Sequence, residues 1–465
     1  FVAGNFNIET NTTYTPGANT TIFNGQSTQA FNNNGTITSG LNNMSIENKA
    51  IVSISQNLNI RQTLSIAEES MLRDMGKSIN VSGDILNNGT HESQAGGAIV
   101  LTSTSDQNIN GNGNGIFGNL SLNKASGITT LGANASIKGN LRLAGIASIF
   151  DIGSQKLSIA STGRIYDHLT NTTSTNFSNS RMIRTSGNAS DGGLKIVYSN
   201  IQERIYPLGV GNKYAPSKIS FNNPPADYGS ITVRPVDYPH PHRTTTNSLD
   251  FYWSVVSDGF SGITNGNLVQ KFYYDASDVH GGADINQYLP AVYNPVFWQK
   301  FSTDDVAQAT REIRFNQIVS PDGDFTAGYL DAFGGVAAIF SRVSGNWGGA
   351  DTWTYDPVTN SPISNYTPKF DDPVVIRAGH TVSLNINNAI SGSLNIQENG
   401  ILDLKTFTGH NFGANANGKV YGKGRLRISS STAIAQFPGG DFGEFLGENG
   451  GTVESGLCTK KSGGS

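Results

Sequence analysis

Short apolar–polar–apolar triplets recur along the first part of the chain. Leu58-Asn59-Ile60 is followed 21 residues later by Ile79-Asn80-Val81, and the same interval separates Leu120-Ser121-Leu122 from Leu141-Arg142-Leu143. Alternation with a period of two places the outer residues of each triplet on one face of a strand. Gly and Asn fill the intervals, and no 3.6-residue stripe appears. A repeat near 20 residues, built from short strands and turn residues, is what one coil of a parallel β-helix requires. The pattern predicts a right-handed parallel solenoid over residues 1–185, with Leu58 stacked on Ile79 and Leu120 on Leu141 about 4.8 Å apart. Asn at successive corners is expected to form side-chain ladders.

The texture changes near residue 190. Pro, Tyr, Phe and Trp become frequent, and longer alternating runs appear at LKIVYS, SKISF, GSITVRP, LDFYWSVV, LVQKFYYD and VFWQKF. Strands of this kind between Gly/Pro/Asn-rich turns predict a central antiparallel β-sandwich over 186–335. A second, short β-solenoid segment is expected over 336–455, from the alternation in VVIRAGHTVSLNI, SGSLNIQENGILDLK and GKVYGKGRLRIS. About three strands are recognisable there, too few to bury a core alone. Further sequence, a neighbouring chain, or the residues after Gly451 folding back would have to complete it. Residues 456–465 have lost the pattern and read as a disordered tail or an artificial end.

Composition fits an all-β chain. Charged residues make up 14% of the sequence, against roughly 25% in an ordinary globular domain, so polarity comes from the many Gly, Asn, Ser and Thr residues that favour turns over helix interiors. The formal charge of −4 gives no electrostatic footprint for nucleic acid or an anionic membrane. The single cysteine, Cys458, cannot form an internal disulfide, which leaves packing and sheet hydrogen bonding to supply rigidity. No apolar run approaches the roughly 20 residues of a membrane span. The first residues lack a signal-peptide pattern, so the chain reads as a mature form or an excised piece.

Three stretches carry a likeness to known proteins: IFGNLSLNKASGITTLGANASIKGNLRLAG at 116–145, GLKIVYSNIQERIYPLGVGNKYAPSKISF at 193–221, and NWGGADTWTYDP with KFDDPVVIRAGHTVSLN at 369–385. They resemble the large surface proteins of the Bacteroidota exported by the type IX secretion system, including gliding-motility adhesins. That resemblance implies an extracellular location at the cell surface and β-helical coils flanking a β-sandwich module. It leaves activity to be argued from a site. A C-terminal sorting domain of that family is not recognisable.

Candidate chemistry is sparse. The GxGxxG at Gly113, Gly115 and Gly118 is followed by the strand NLSL and not by a helix, so it reads as corner glycines and not as a dinucleotide site. Gly413 to Lys419, GANANGK, mimics a phosphate loop, but Val420 stands where a magnesium-binding hydroxyl belongs. His240 and His242 in YPHPHR present two imidazoles that zinc or copper would accept, yet the flanking prolines suggest a stiff loop. His380 in AGHTV reads as a turn at the beginning of a coil. Paired acids in turns, Asp322 with Asp324, Asp275 with Asp278, and Asp371 with Asp372, are candidates for a structural calcium, with solvated turn carboxylates as the plain reading.

Lys419, Lys423, Arg425 and Arg427 form a basic stretch in which Arg425 and Arg427 share a strand face. They are candidates to grip an acidic glycan, or simply a solvated outer face. The aromatics Tyr252, Trp253, Tyr273, Tyr274 and Trp298 suit sugar stacking, although alternation assigns most of them to a core. Acidic residues are few within 1–180, and His91 and His168 read as isolated, so no residue is assigned a catalytic role and no cofactor beyond calcium is implied. The expected function is a structural or adhesive segment of a secreted cell-surface protein. Its partners would be other extracellular proteins, further domains of a parent protein, or surface polysaccharide. The alternatives are a polysaccharide lyase or hydrolase on a β-helix, and a non-catalytic carbohydrate-binding module.

Overall fold

Strands account for 44% and helix for 3% of the chain in the computed structural model, so cohesion rests on sheets. The structure describes every residue except 170–175, 282, 295–297, 302, 334–337, 356, 358–359, 371, 414–418, 429–435, 449 and 456–465.

The N-terminal strands wind into a β-solenoid. One parallel ladder begins with Phe6–Ile8, Thr28–Asn33, Ile51–Ile54, Met71–Arg73 and Thr90–Glu92 and runs on to Gly193–Val197. A second runs from Thr20–Phe23 to Leu208–Val210, and a third, shorter one from Leu58–Ile60 to Ile165–Tyr166. The triplet spacing sets the register: Leu58 pairs with Ile79 and Ile60 with Val81, while Leu120 pairs with Leu141 and Leu122 with Leu143. All eight are buried, each worth about 1.5–3 kcal/mol of apolar burial.

Asn serves two positions. On the outer strand face, Asn80 Nδ2 donates to Asn59 Oδ1 of the preceding coil at 2.9 Å. Elsewhere Asn side chains receive main-chain N–H groups of the following coil. Asn119 Oδ1 accepts from the Asn140 amide at 2.8 Å, and Asn140 Oδ1 accepts in turn from the Arg164 amide at 3.0 Å. These amides would otherwise lack a partner where ladder pairing lapses.

The parallel ladder passes directly into antiparallel strands. Gly193–Val197 pairs in parallel with Lys156–Ile159 on one side and antiparallel with Ser230–Val236 on the other, where Ile196 faces Ile231. Arg204, almost fully buried, fixes this junction: its guanidinium donates to Gly163 O at 2.6 Å and Ser161 O at 3.2 Å on the last coil. Beyond it, Tyr252–Asp258, Gly323–Gly328 and Leu289–Tyr293 extend the same sheet. A separate five-stranded antiparallel sheet contains Ser217–Phe221, Leu268–Tyr273 and Glu312–Phe315. Phe272 of that sheet packs against Trp253 at 5.1 Å and Phe325 at 5.0 Å between ring centroids. A single buried cluster therefore reaches from Ile8 to Ala327.

The C-terminal residues return to parallel pairing around a core of their own. One ladder orders Gly345–Asn346, Thr381–Ser383, Ile401–Asp403, Arg425–Ile428 and Thr452–Ser455. That is more than the three strands legible in the sequence, because Gly345–Asn346 and the residues after Gly451 each add a rung to the segment. At the other end, Trp353–Thr354 pairs antiparallel with Ile339–Ser341 and covers that edge. Trp347 and Trp353 meet edge to face at 5.3 Å, and Trp353 Nε1 donates to Trp347 O at 2.7 Å.

Candidate functional site

The inward-facing column of the first ladder holds Val52, Leu72, His91, Phe117, Ile137 and Ile159, all buried. His91 is the polar member. Its Nε2 lies 3.2 Å from Asp74 Oδ2, and neither side chain is exposed. Asp74 Oδ1 accepts from the Gly76 and Gln94 amides at 2.9 and 3.0 Å. Ser93 Oγ stands 3.4 Å from the same His91 Nε2. The sequence reading of His91 as isolated is thereby corrected: the acid that meets it lies one coil earlier, and the turn from Arg73 into Lys77 carries it inward.

This Asp–His–Ser group has the composition of a nucleophilic triad without its wiring. The Gly118 amide donates to His91 Nδ1 at 3.3 Å, so Nδ1 is the acceptor and the proton resides on Nε2, the atom facing both Asp74 and Ser93. A general base needs that nitrogen unprotonated toward the serine. Ser93 Oγ is itself engaged by the Asn119 amide at 2.8 Å. Burial pushes the Asp74 carboxyl up, but His91, Ser93 and the Gln94 and Gly76 amides outweigh it and hold it below the ordinary carboxylate range. The arrangement thus stores a buried anion beside an imidazole and locks two coils together. A cavity of about 270 Å³ lies alongside, lined by His91, Ser93, Glu92, Asn119 and Lys138.

The glycine motif belongs to the same coils. Gly113 has φ +92°, and a Cβ on Gly118 would stand 2.4 Å from Ser93 Oγ. These glycines turn corners and let neighbouring coils approach.

The acidic candidates do not converge. Asp275 caps the short turn Ala276–Asp278 by accepting from the Ser277 amide at 2.9 Å. Asp278 is buried and takes Lys213 Nζ at 2.7 Å, while Lys213 also reaches Asp237 at 2.5 Å. Asp322 accepts from the Ser257 amide, and Asp324 contacts His240 Nε2 at 3.2 Å. Asp372 accepts from Tyr366 OH at 2.7 Å and the Lys369 amide at 2.6 Å, whereas Asp371 lies outside the described residues. Among the described residues no group of three or more His, Cys, Asp or Glu side chains is placed to hold a metal ion.

His240 is buried among rings, 4.6 Å from Trp298 and 4.8 Å from Tyr252, and His242 stacks on Tyr293 at 4.5 Å. Both imidazoles thus pack an aromatic cluster. Trp253 and Tyr274 are also buried, and Tyr273 donates to Glu312 at 2.8 Å. His380 Nδ1 meets Ser341 Oγ at 2.8 Å. Arg425 and Arg427 share a face, as read, and both engage Glu454 of the last rung, at 3.0 and 3.1 Å. The Gly413–Lys419 string lies mostly outside the described residues.

A larger cleft, of about 650 Å³, opens where the antiparallel strands meet the C-terminal segment. Lys300, the chain neighbour of the wall residue Phe301, is buried, with its amine pushed down to about 8 by burial against a partial opposing pull from Asp372. Sequence reasoning missed this cleft because its walls come from residues 286–303, 330 and 355–372, which no local pattern connects. Comparisons of the chain with protein-family models, with curated proteins and with solved structures find no match.

Proposed function

We propose that the chain is a rigid structural and adhesive segment of a secreted bacterial cell-surface protein, holding binding surfaces away from the cell. The observation that carries this reading is the buried cluster that continues from the coils into the antiparallel strands without interruption. A solenoid joined to its neighbour through a shared sheet, as at Ile196 and Ile231, resists bending at the place where a linker would yield. In this reading the coils wind right-handed, as nearly all parallel crossovers do, and the antiparallel strands form a two-sheet sandwich around Trp253, Phe272 and Phe325. The resemblance to type IX-exported proteins of the Bacteroidota supports the cell-surface location. The low charge and the wiring of the Asp74–His91–Ser93 group favour structure over catalysis.

Beads coated with the chain, tested for retention on cells and on polysaccharide-coated surfaces under flow, check this function. Retention above uncoated beads, with no release of reducing ends or unsaturated uronides from a polysaccharide panel, is the expected result. Turnover abolished by a single Asp, Glu or His substitution would replace this reading with an enzymatic one.

A further inference from the structure

The cleft between the antiparallel strands and the C-terminal segment is walled mostly by aromatic rings and uncharged polar side chains, with Lys369 and Asp372 as its charged described residues. Phe370 is 50% exposed at its rim and offers an open ring face. Tyr366 stands beside it in a fixed orientation, because its hydroxyl donates to buried Asp372 at 2.7 Å and its ring meets Tyr355 edge to face at 6.0 Å. Across the cleft the antiparallel unit contributes Asn286, Gln287 and Thr303, and Asn365 and Thr367 flank the rings. Asn286 is itself oriented by Asp284, which accepts from its Nδ2 at 2.8 Å.

The geometry points to this cleft as a binding site for a neutral oligosaccharide. A pyranose presents an apolar C–H face and a rim of hydroxyls, which calls for a flat ring on one side and amide or hydroxyl partners around it. The cleft supplies both, and its volume is that of a ligand site at a domain junction. Neutrality follows from the charges present. The Asp372 carboxylate is occupied by Tyr366 and the Lys369 amide. The Lys369 ammonium, 5.6 Å from the Tyr366 ring centroid, is exposed to solvent and opposite in sign to Asp372, so the described walls carry no net charge. Among the described residues no arginine lines the cleft to clamp a uronate or sulfate. An extended peptide fits less well. The one strand at this wall, Leu289–Tyr293, is paired on both sides, to Gly323–Gly328 and to Trp298–Lys300, and offers no free edge for main-chain addition.

This site does not depend on the scaffold reading and is tested separately. The probes are maltohexaose, cellohexaose and xylohexaose, titrated calorimetrically into the full chain, with a polygalacturonate oligomer as the acidic comparison. At least one neutral probe is expected to bind. Phe370→Ala and Gln287→Ala, which change exposed side chains on opposite walls, are each expected to weaken it by tenfold or more with the unfolding midpoint unchanged. Arg425→Ala, which does not line the cleft, is expected to leave it intact. Absence of binding by all three neutral probes, binding of the acidic oligomer alone, or neutral binding that survives both wall substitutions would overturn the proposal.

Discussion

Leu72 and His91 occupy the same inward position on successive coils, paired in register, yet one is an aliphatic core residue and the other carries a hydrogen-bonded imidazole facing Asp74 at 3.2 Å. The solenoid thus replaces one layer of apolar stacking with a polar one. Such a layer is stable only while every member keeps its partner.

Substituting His91 by Leu restores the aliphatic column but leaves the Asp74 carboxylate buried without its imidazole. A loss of about 3–5 kcal/mol is expected in chemical unfolding. Adding Asp74→Asn removes the buried charge while keeping an oxygen for the Gly76 and Gln94 amides, and should recover much of the loss. If the double variant is no more stable than His91→Leu, the pairing is not what holds this layer.

The same pair fixes an acid dependence. The folded Asp74 carboxyl lies below its ordinary value, so its contribution is present above the unfolded carboxylate pKa and is lost as pH falls through the folded one. Midpoints measured from pH 6 down to pH 2, values chosen to bracket the ordinary carboxylate pKa of about 3.9, should fall more steeply in the parent chain than in the Asp74→Asn variant.

Lys300 gives a second pH dependence, of the same sign but at the alkaline end. Its folded pKa of about 8 lies below the unfolded value of about 10.4. Between these values the unfolded chain binds more protons, so stability rises with pH across that window. Lys300→Met should abolish the rise. A chain whose midpoint is flat from pH 8 to 10, or a variant that retains the increase, would show that the amine is not desolvated in the folded state.

The two tryptophans of the C-terminal core differ in their indole N–H groups. Trp353 Nε1 is hydrogen-bonded to Trp347 O, while Trp347 Nε1 is buried with no hydrogen-bond partner among the described residues. Replacement by Phe costs packing at both sites, but only at 353 does it also orphan a buried carbonyl. Trp353→Phe is therefore expected to destabilise by about 1–3 kcal/mol more than Trp347→Phe, read by intrinsic fluorescence during denaturation.

The turn acids should not respond to calcium. Asp278 is neutralised by Lys213, Asp275 caps its own turn, and Asp324 faces His240. Millimolar calcium, the range of weak extracellular sites, is expected to leave the unfolding midpoint unchanged relative to a chelator. An increase of several degrees, lost in Asp322→Ala or Asp324→Ala, would support the calcium reading.

The solenoid's register is legible in the amino-acid order. Leu58 over Ile79 and Leu120 over Leu141 follow from a 21-residue interval, because period-two alternation and a fixed coil length leave few ways to stack apolar faces. The change of texture near residue 190 likewise announced antiparallel strands, since longer aromatic-rich runs between turns pair with sequence neighbours. Three features depend on long-range packing. His91 meets Asp74 because a corner turns the acid inward, and an inward corner carries no periodic signal. The last rung forms because Thr452–Ser455 finds Arg425–Ile428, a pairing that its short sequence does not encode alone. The cleft exists because residues near 287 and near 366 are brought together by packing between two units. Local pattern fixes which face a side chain takes on its own strand, and only the closing of distant surfaces fixes what it will meet.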